Sequence, residues 1–273
     1  MATSNTLYDD PTVYDILHAP GAAEELDGLQ RMADRWTTAP TLADGGVWLE
    51  PACGTGRLLR AVARRNGRVI GFDASRVMVD DANRRLARLG FDGLACAKMA
   101  DMTGFVGRGS DKACAPASIS FAFNPINSFR HLMTDADALA HLDQMGKALA
   151  PGGAYAVGMS ITTYGLEPPT EDTWEASRGP CRVHQFIQYD PPTGRNGGTR
   201  VERVISYITV TTPSADRTLE STYALRTYDL VQWRDLIDRS AMRIAAVTDQ
   251  DGHDAEETQL GYRFFILRPR ERR

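Results

Sequence analysis

The sequence predicts an α/β fold: a Rossmann-like, doubly wound parallel sheet interrupted by an antiparallel β-meander. Three observations carry that prediction. Short apolar runs alternate with amphipathic helical patterns between residues 47 and 160, as repeated β-α units require. The first run, Val47-Trp-Leu-Glu50, leads into a glycine turn, Gly54-Thr-Gly56, and then a helical pattern. From 161 to 226 the chain switches to β-branched stretches separated by turns rich in Pro, Gly and Asp, which is antiparallel character. At 273 residues the chain is long for one compact domain and short for two, so one α/β domain with an insertion fits best.

The elements follow in order. Residues 1–20 read as polar and turn-rich, with Tyr8, Tyr14 and His18. Ala22 to Trp36 places Leu26, Leu29, Met32, Ala33 and Trp36 at helical spacing. After the strand at 47–50, the spacing predicts a helix over 55–65, a strand over 68–72, and a helix from an N-cap at Ser75 to Leu89. Strands are expected at 93–99 and 119–123. A helix capped by Thr134 or Asp135 then runs to Leu149 and is stopped by Pro151-Gly-Gly153, with a further strand at 154–160. Residues 161–180 read as a loop because of Pro168-Pro169 and Gly179-Pro180. Three strands are expected at 182–189, 199–211 and 218–226, with Pro191-Pro-Thr-Gly194 and Pro213-Ser-Ala-Asp216 as turns. A helix over 228–239 and strands at 243–248 and 262–267 close the chain.

Composition excludes several classes. Apolar content is 42%, charged content 24% and net charge −4, with a pI near 5.8. These are ordinary globular values without a basic footprint for nucleic acid. No apolar run reaches the ~18 residues of a membrane span. The N-terminal ten residues lack a basic start and an apolar core, so they do not read as a signal peptide. A cytoplasmic location is the expectation. The four cysteines (53, 96, 114 and 181) form no C-x-x-C pair and no histidine stands at ligand spacing, so no metal site is expected. The three lysines among many arginines read as coding bias.

The run Glu50-Pro-Ala-Cys-Gly-Thr-Gly-Arg57, followed by a strand ending at Asp73, is the main chemical signal. Gly54 lacks a β-carbon, so a ligand can approach the turn closely. The helix beyond it offers free N–H groups. Asp73 stands 17 residues past Gly56, at a strand tip where a carboxylate accepts both hydroxyls of a ribose. A nucleoside-type cofactor at the carboxyl ends of a parallel sheet follows. The dinucleotide pattern G-x-G-x-x-G is missing its third glycine. Glu50 disfavours a pyrophosphate and suits a cationic ligand such as an ammonium or a sulfonium.

Glu50-x-x-x-Gly54-x-Gly56 resembles motif I of the class I S-adenosylmethionine (SAM)-dependent methyltransferases, with Ala52 in place of that family's usual first glycine. The resemblance implies a seven-stranded sheet whose last strand is antiparallel, SAM as cofactor, and direct SN2 methyl transfer to a small-molecule acceptor through N, O or C. It assigns the cofactor to Glu50, Ala52, Gly54, Gly56, Arg57, Asp73, Ala74, Met78, Asp101, Met102, Phe123 and Asn124. Within that set, Asp101 and Met102 meet the adenine. The segment Asn127-Ser-Phe-Arg-His-Leu132 is similar to small-molecule methyltransferases, and its Ser-x-x-His-Leu part to sugar-amine N,N-dimethyltransferases. That similarity makes His131 a candidate base and Tyr14 a lid residue at the reaction centre, with Asn127, Arg130, Trp174 and Arg226 toward the acceptor. It divides the chain into a helical lid (1–40), a cofactor-binding domain (41–160 and 227–273) and an inserted acceptor roof (161–226). No nucleic acid, membrane or metal partner is expected, and the oligomeric state is open, a homodimer included. An NAD(P)-dependent oxidoreductase and a non-catalytic SAM-binding protein are the rival readings, since fold alone does not decide function.

Overall fold

The computed structural model describes residues 7–109, 112–193, 198–257 and 261–270. The first six residues of the chain and Gly194, which ends one predicted turn, lie outside them. A 3-10 turn, Leu7–Asp9, precedes helix α1, Pro11–His18, and helix α2, Ala22–Trp36. There follow β1 Val47–Pro51, α3 Arg57–Arg64, β2 Arg68–Asp73, α4 Arg76–Arg88, β3 Ala95–Met99, β4 Ile119–Asn124, a 3-10 helix Ser128–His131, α5 Asp135–Ala148 and β5 Leu149–Ile161. The next segment supplies β6 Thr170–Arg178, β7 Cys181–Asp190, β8 Val201–Thr211 and β9 Asp216–Arg226. The chain ends with α6 Leu230–Asp238, β10 Met242–Thr248 and β11 Gly261–Pro269.

One sheet has seven strands in the order β10-β11-β5-β4-β1-β2-β3. Strands β1 to β5 pair in parallel, and β11 runs antiparallel to both β5 and β10. Strand order reverses between β1 and β4, the position where an open α/β sheet leaves a crevice at its strand ends. Successive strand residues point to opposite faces, so each strand feeds two cores. Trp48, Phe121, Phe123 and Ile266 pack with Leu26, Leu29, Leu58, Val62 and Leu86 from α2, α3 and α4. Leu49, Ala122, Tyr155, Val157 and Leu267 pack with Leu142, Met145, Trp233 and Leu236 from α5 and α6.

The second sheet is an antiparallel meander, β6-β7-β8-β9. One face packs against α1: Val13, Ile16 and Leu17 meet Val183, Ile208, Val210 and Leu219.

Three expectations need correction. The stretch 161–180 is not all loop, because β6 occupies 170–178. Its side chains are mostly polar and exposed, with Trp174 and Ala176 the only apolar residues turned inward. It is a strand because β7 supplies its hydrogen bonds along the full length, and apolar periodicity does not record that. Residues 11–18 form a helix that a turn-rich reading missed. Asp10 caps it by accepting from the N–H groups of Thr12 and Val13, and Pro11 sits in its first turn. Ser75 holds the N-cap position of α4, but its side chain makes no cap bond, and its own N–H is drawn to Asp73. Thr134 caps α5 through the N–H of Asp137, and Asp229 with Gln232 forms a capping box on α6.

Candidate active site

At the end of β1 the chain turns through Ala52, Gly54 and Gly56, all in the left-handed region (φ 52°, 52° and 70°). The turn packs tightly on β2: a Cβ on Gly71 would lie 2.7 Å from Cys53 Sγ and from Leu59 Cδ1. Ala52 carries the unfavourable left-handed conformation without being glycine, at about 1–2 kcal/mol. This close packing lets Gly54 donate its N–H to Asp73 Oδ2 at 2.9 Å, while Ser75 donates its N–H to Oδ1 at 2.8 Å. Asp73 is therefore fixed at the tip of β2. Each carboxylate oxygen has a second lone-pair direction available. Burial raises its pKa above the usual carboxylate value, opposed by those backbone N–H groups.

Glu50 is 4% exposed. Its Oε2 is buried without a hydrogen-bond partner among the described residues. The nearby cation is committed elsewhere: Arg57 makes a bidentate pair with Glu25 on α2, at 2.5 and 3.0 Å. Burial pushes the Glu50 carboxyl well up; Arg57 opposes this, and the charges of Glu25 and Asp73 reinforce it. A buried carboxylate with an orphan oxygen is unfavourable unless something cationic comes to it.

Beyond β3, Asp101 forms a local turn, with the N–H and hydroxyl of Thr103 both donating to Oδ1 at 2.8 and 2.5 Å. Those two bonds hold its pKa below the usual value. The carbonyl of Met102 accepts from His141 Nδ1 at 3.0 Å, and His141 Nε2 meets the Tyr155 hydroxyl at 2.9 Å. A fully buried histidine on α5 thus pins the loop that carries Asp101 and Met102.

These groups share one cavity of about 900 Å³, near the upper end of ligand-pocket size. One end holds Glu50, Gly54, Asp73, Asp101 and Met102. The other is aromatic. Tyr14 lies on Gly54, so that a Cβ there would stand 3.0 Å from its ring, and it meets the His18 ring at a tilt of 49°, 4.4 Å between centroids. Tyr8 meets Tyr14, Tyr223 and His131 at 6.0, 5.8 and 6.1 Å, and His131 stacks on Tyr223 at 6.0 Å. Burial keeps Tyr8, Tyr14 and Tyr223 protonated. Burial, then the Arg130 charge, lowers the pKa of His131, which keeps its ring neutral.

Of the residues singled out from sequence, Tyr14, Glu50, Ala52, Gly54, Arg57, Asp73, Ala74, Met78, Asp101, Met102, Asn127, His131 and Trp174 line the cavity. Five do not. Gly56 turns its back to it, against Ala82 and Leu59. Phe123 points into the core against Trp48. Asn124 is buried, donating to the Pro51 carbonyl at 2.9 Å. Arg130 and Arg226 are drawn away by acids: Arg130 pairs with Glu202 at 2.8 Å and donates to the Arg226 carbonyl, and Arg226 pairs with Asp135 at 2.9 Å. Sequence reasoning missed Tyr8, Cys53, Asp172, Gln185, Tyr189, Tyr223 and Tyr262, all on the cavity wall. Gln185, Ile187 and Tyr189 alternate along β7, so a period of two marks them as one face; nothing local says what that face looks at.

Residues 49–153 match the family model described as a methyltransferase domain. The cavity at the switch point and the orphan Glu50 sit in and beside that matched segment, as the resemblance to class I SAM-dependent methyltransferases implies. The whole fold is similar to solved structures. DesVI of Streptomyces venezuelae superposes with a TM-score of 0.71 at 18% identity, over 96% of this chain and 98% of that one. A SAM-dependent methyltransferase from Clostridium acetobutylicum gives 0.69 at 11% identity, over 94% and 96%. CalS10 of Micromonospora echinaspora, described as an amino pentose methyltransferase involved in calicheamicin biosynthesis, gives 0.62 at 17%, over 90% and 89%. No curated protein matches the sequence. Among the described residues, no helix is long and apolar enough to cross a membrane.

Proposed function

We propose that the protein methylates an amine on a small-molecule acceptor that enters at the aromatic end of the cavity. The observation that carries this reading is the polarity of that cavity. A buried carboxylate without a partner stands at one end, and rings with a neutral histidine stand at the other. SAM supplies a methyl carbon made electrophilic by its sulfonium and departs as the neutral thioether S-adenosylhomocysteine. Glu50 holds the ammonium of the methionine portion, Asp73 takes the ribose hydroxyls, and Asp101 with the Met102 backbone N–H meets the adenine. Tyr14 covers the reacting end and excludes water. An acceptor nitrogen aligned at that end would take the methyl carbon as the carbon–sulfur bond breaks and its electron pair passes to sulfur. His131 accepts the proton that the nitrogen sheds, and most of the rate gain is alignment.

The amine preference is supported by the rings of Tyr8, Trp174, Tyr189 and Tyr223 together with the Asp172 carboxylate at the acceptor end, surroundings that attract a cation. It also agrees with the description of CalS10 as acting on an amino pentose. Calorimetry of SAM and S-adenosylhomocysteine against the wild type and Asp73→Ala tests the cofactor half. Binding near micromolar that weakens at least ~tenfold in the variant is expected, since a charged hydrogen-bond acceptor is lost. Wild-type protein that binds neither ligand overturns the reading. An acceptor screen of amino sugars beside their hydroxyl analogues tests the other half, with methylation of the hydroxyl compounds alone as the contrary result.

A further inference from the structure

We infer that Tyr262 is a positioning residue that sets the acceptor end of the cavity by holding a strained turn after β4. The inference rests on the methyltransferase reading for its activity readout, and on geometry alone for the rest. Between β4 and the 3-10 helix that carries His131, two successive non-glycine residues, Ile126 and Asn127, are left-handed, with φ 53° and 59°. For a β-branched residue this conformation is an outlier. Such a turn persists only where its surroundings over-determine it.

The surroundings are specific. Ile126 donates its N–H to the Tyr262 hydroxyl at 2.8 Å. Asn127 donates its N–H to the Gly158 carbonyl at 3.2 Å. Its side chain clamps Ser160, accepting the Ser160 N–H at 2.8 Å and donating to the hydroxyl at 3.3 Å. Tyr262 lies on β11, and β5 stands between β11 and β4. The phenol therefore reaches over a whole strand to find Ile126. It can do so because the strand it crosses has glycine there: a Cβ on Gly158 would fall 1.9 Å from the Tyr262 oxygen and 2.7 Å from Cζ. Gly158 is the gap through which the hydroxyl passes.

The turn leads directly into Ser128–His131, where the Asn127 carbonyl accepts the Arg130 N–H at 2.9 Å. Ile126, Asn127, Ser128, His131, Ser160 and Tyr262 all face the cavity. Releasing Ile126 to an ordinary conformation redirects the chain at the start of that helix and displaces the His131 ring from Tyr8 and Tyr223.

The test is a double-mutant cycle on Tyr262→Phe and Ile126→Gly, because glycine adopts positive φ without the clamp. Three quantities are read: amide exchange of the 125–131 segment, S-adenosylhomocysteine affinity, and kcat and KM for an amine acceptor. Tyr262→Phe should speed exchange in that segment about tenfold, the loss of one hydrogen bond. Cofactor affinity should stay within about twofold, and kcat should fall about tenfold or more. In the Ile126→Gly background the same substitution should cost under about threefold in kcat, since the strain it controlled is gone. Exchange unchanged in Tyr262→Phe, or an equal loss of kcat in both backgrounds, overturns the inference; the latter result means the hydroxyl acts on the acceptor itself. Should the wild type bind no S-adenosylhomocysteine, the methyltransferase reading fails separately while the exchange measurement still judges the clamp.

Discussion

Glu50 is the residue whose environment asks most of a ligand. Its Oε2 has no partner among the described residues, the nearby Arg57 is taken by Glu25, and burial raises its pKa well above the usual carboxylate value. Burial favours the protonated form of that carboxyl in the free protein. An arriving ammonium favours the ionised form. Cofactor binding should therefore release a proton. Calorimetry at pH 5–7 in buffers of different ionisation enthalpy should show a buffer-dependent heat of that sign. Glu50→Gln should abolish this dependence and weaken binding about ten- to a hundredfold, the worth of one hydrogen bond to a charged group. Heats that do not depend on buffer, with unchanged affinity for the variant, would mean the ammonium sits elsewhere.

At the scale of elements, one buried carboxylate adds to the apolar packing that holds α1. Asp15, 1% exposed, accepts from Thr55 Oγ1 at 2.8 Å and pairs with Arg60 on α3 at 2.6 Å, Arg85 on α4 at 2.9 Å and Arg178 on β6 at 2.7 Å. Those partners come from both sheets' surroundings, so a single carboxylate ties the helix carrying Tyr14 to the helices of the seven-stranded sheet and to the meander. Removing one member of a buried charge network costs about 3–5 kcal/mol, because the partners left behind are uncompensated. Asp15→Ala should raise amide exchange across residues 11–18 far more than in β1, β4 or β5, and should weaken cofactor binding through loss of the Tyr14 cover. A uniform rise across the seven-stranded sheet would instead make Asp15 a support of the whole domain. The carboxyl is held below its usual pKa by Arg60, Thr55 and Arg85 against burial, so this clasp is complete above the unfolded carboxylate pKa and opens only as pH falls below it.

For the molecule as a whole, acid sensitivity begins earlier, at the histidines His18 and His141, of which His141 is the more deeply buried. Burial lowers its pKa from 6.5 to about 4, against the opposing bond from the Met102 carbonyl. Between those values the unfolded chain binds a proton that the folded protein refuses, so stability rises with pH through this window and falls as pH drops. From pH 7 to 5 the single group removes about 2 kcal/mol. Urea unfolding at the two pH values should show at least that loss in the wild type, and a drop smaller by about the same amount in His141→Asn. Equal drops in both proteins would place the acid sensitivity elsewhere. Because His141 also pins the Asp101–Met102 loop, its protonation in the folded protein should lower cofactor affinity only as pH falls toward about 4.

The parts of this protein that were legible in its sequence are those in which chemistry and neighbours lie close along the chain. Glu50, Gly54 and Asp73 meet because a strand, a tight turn and the next strand tip are fixed by local geometry, and the alternation of apolar runs set the parallel sheet. The meander was visible as β-branched strands, yet β6 was not, since a polar strand takes its bonds from β7 and leaves no apolar trace. Arg130 and Arg226 were assigned to the acceptor by the resemblance, which their place in the sequence carries; Glu202 and Asp135, which neutralise them, are brought up only by the fold. Tyr8, Tyr223 and Tyr262 come from a 3-10 turn, the meander and the last strand, and their convergence on His131 and Ile126 depends on which face of each sheet turns inward. The sequence by itself determined the fold class and the Glu50–Asp73 end of the cavity, where contacts are local. Tertiary structure alone decided the aromatic end, because packing brings together side chains more than a hundred residues apart and no local propensity encodes their meeting.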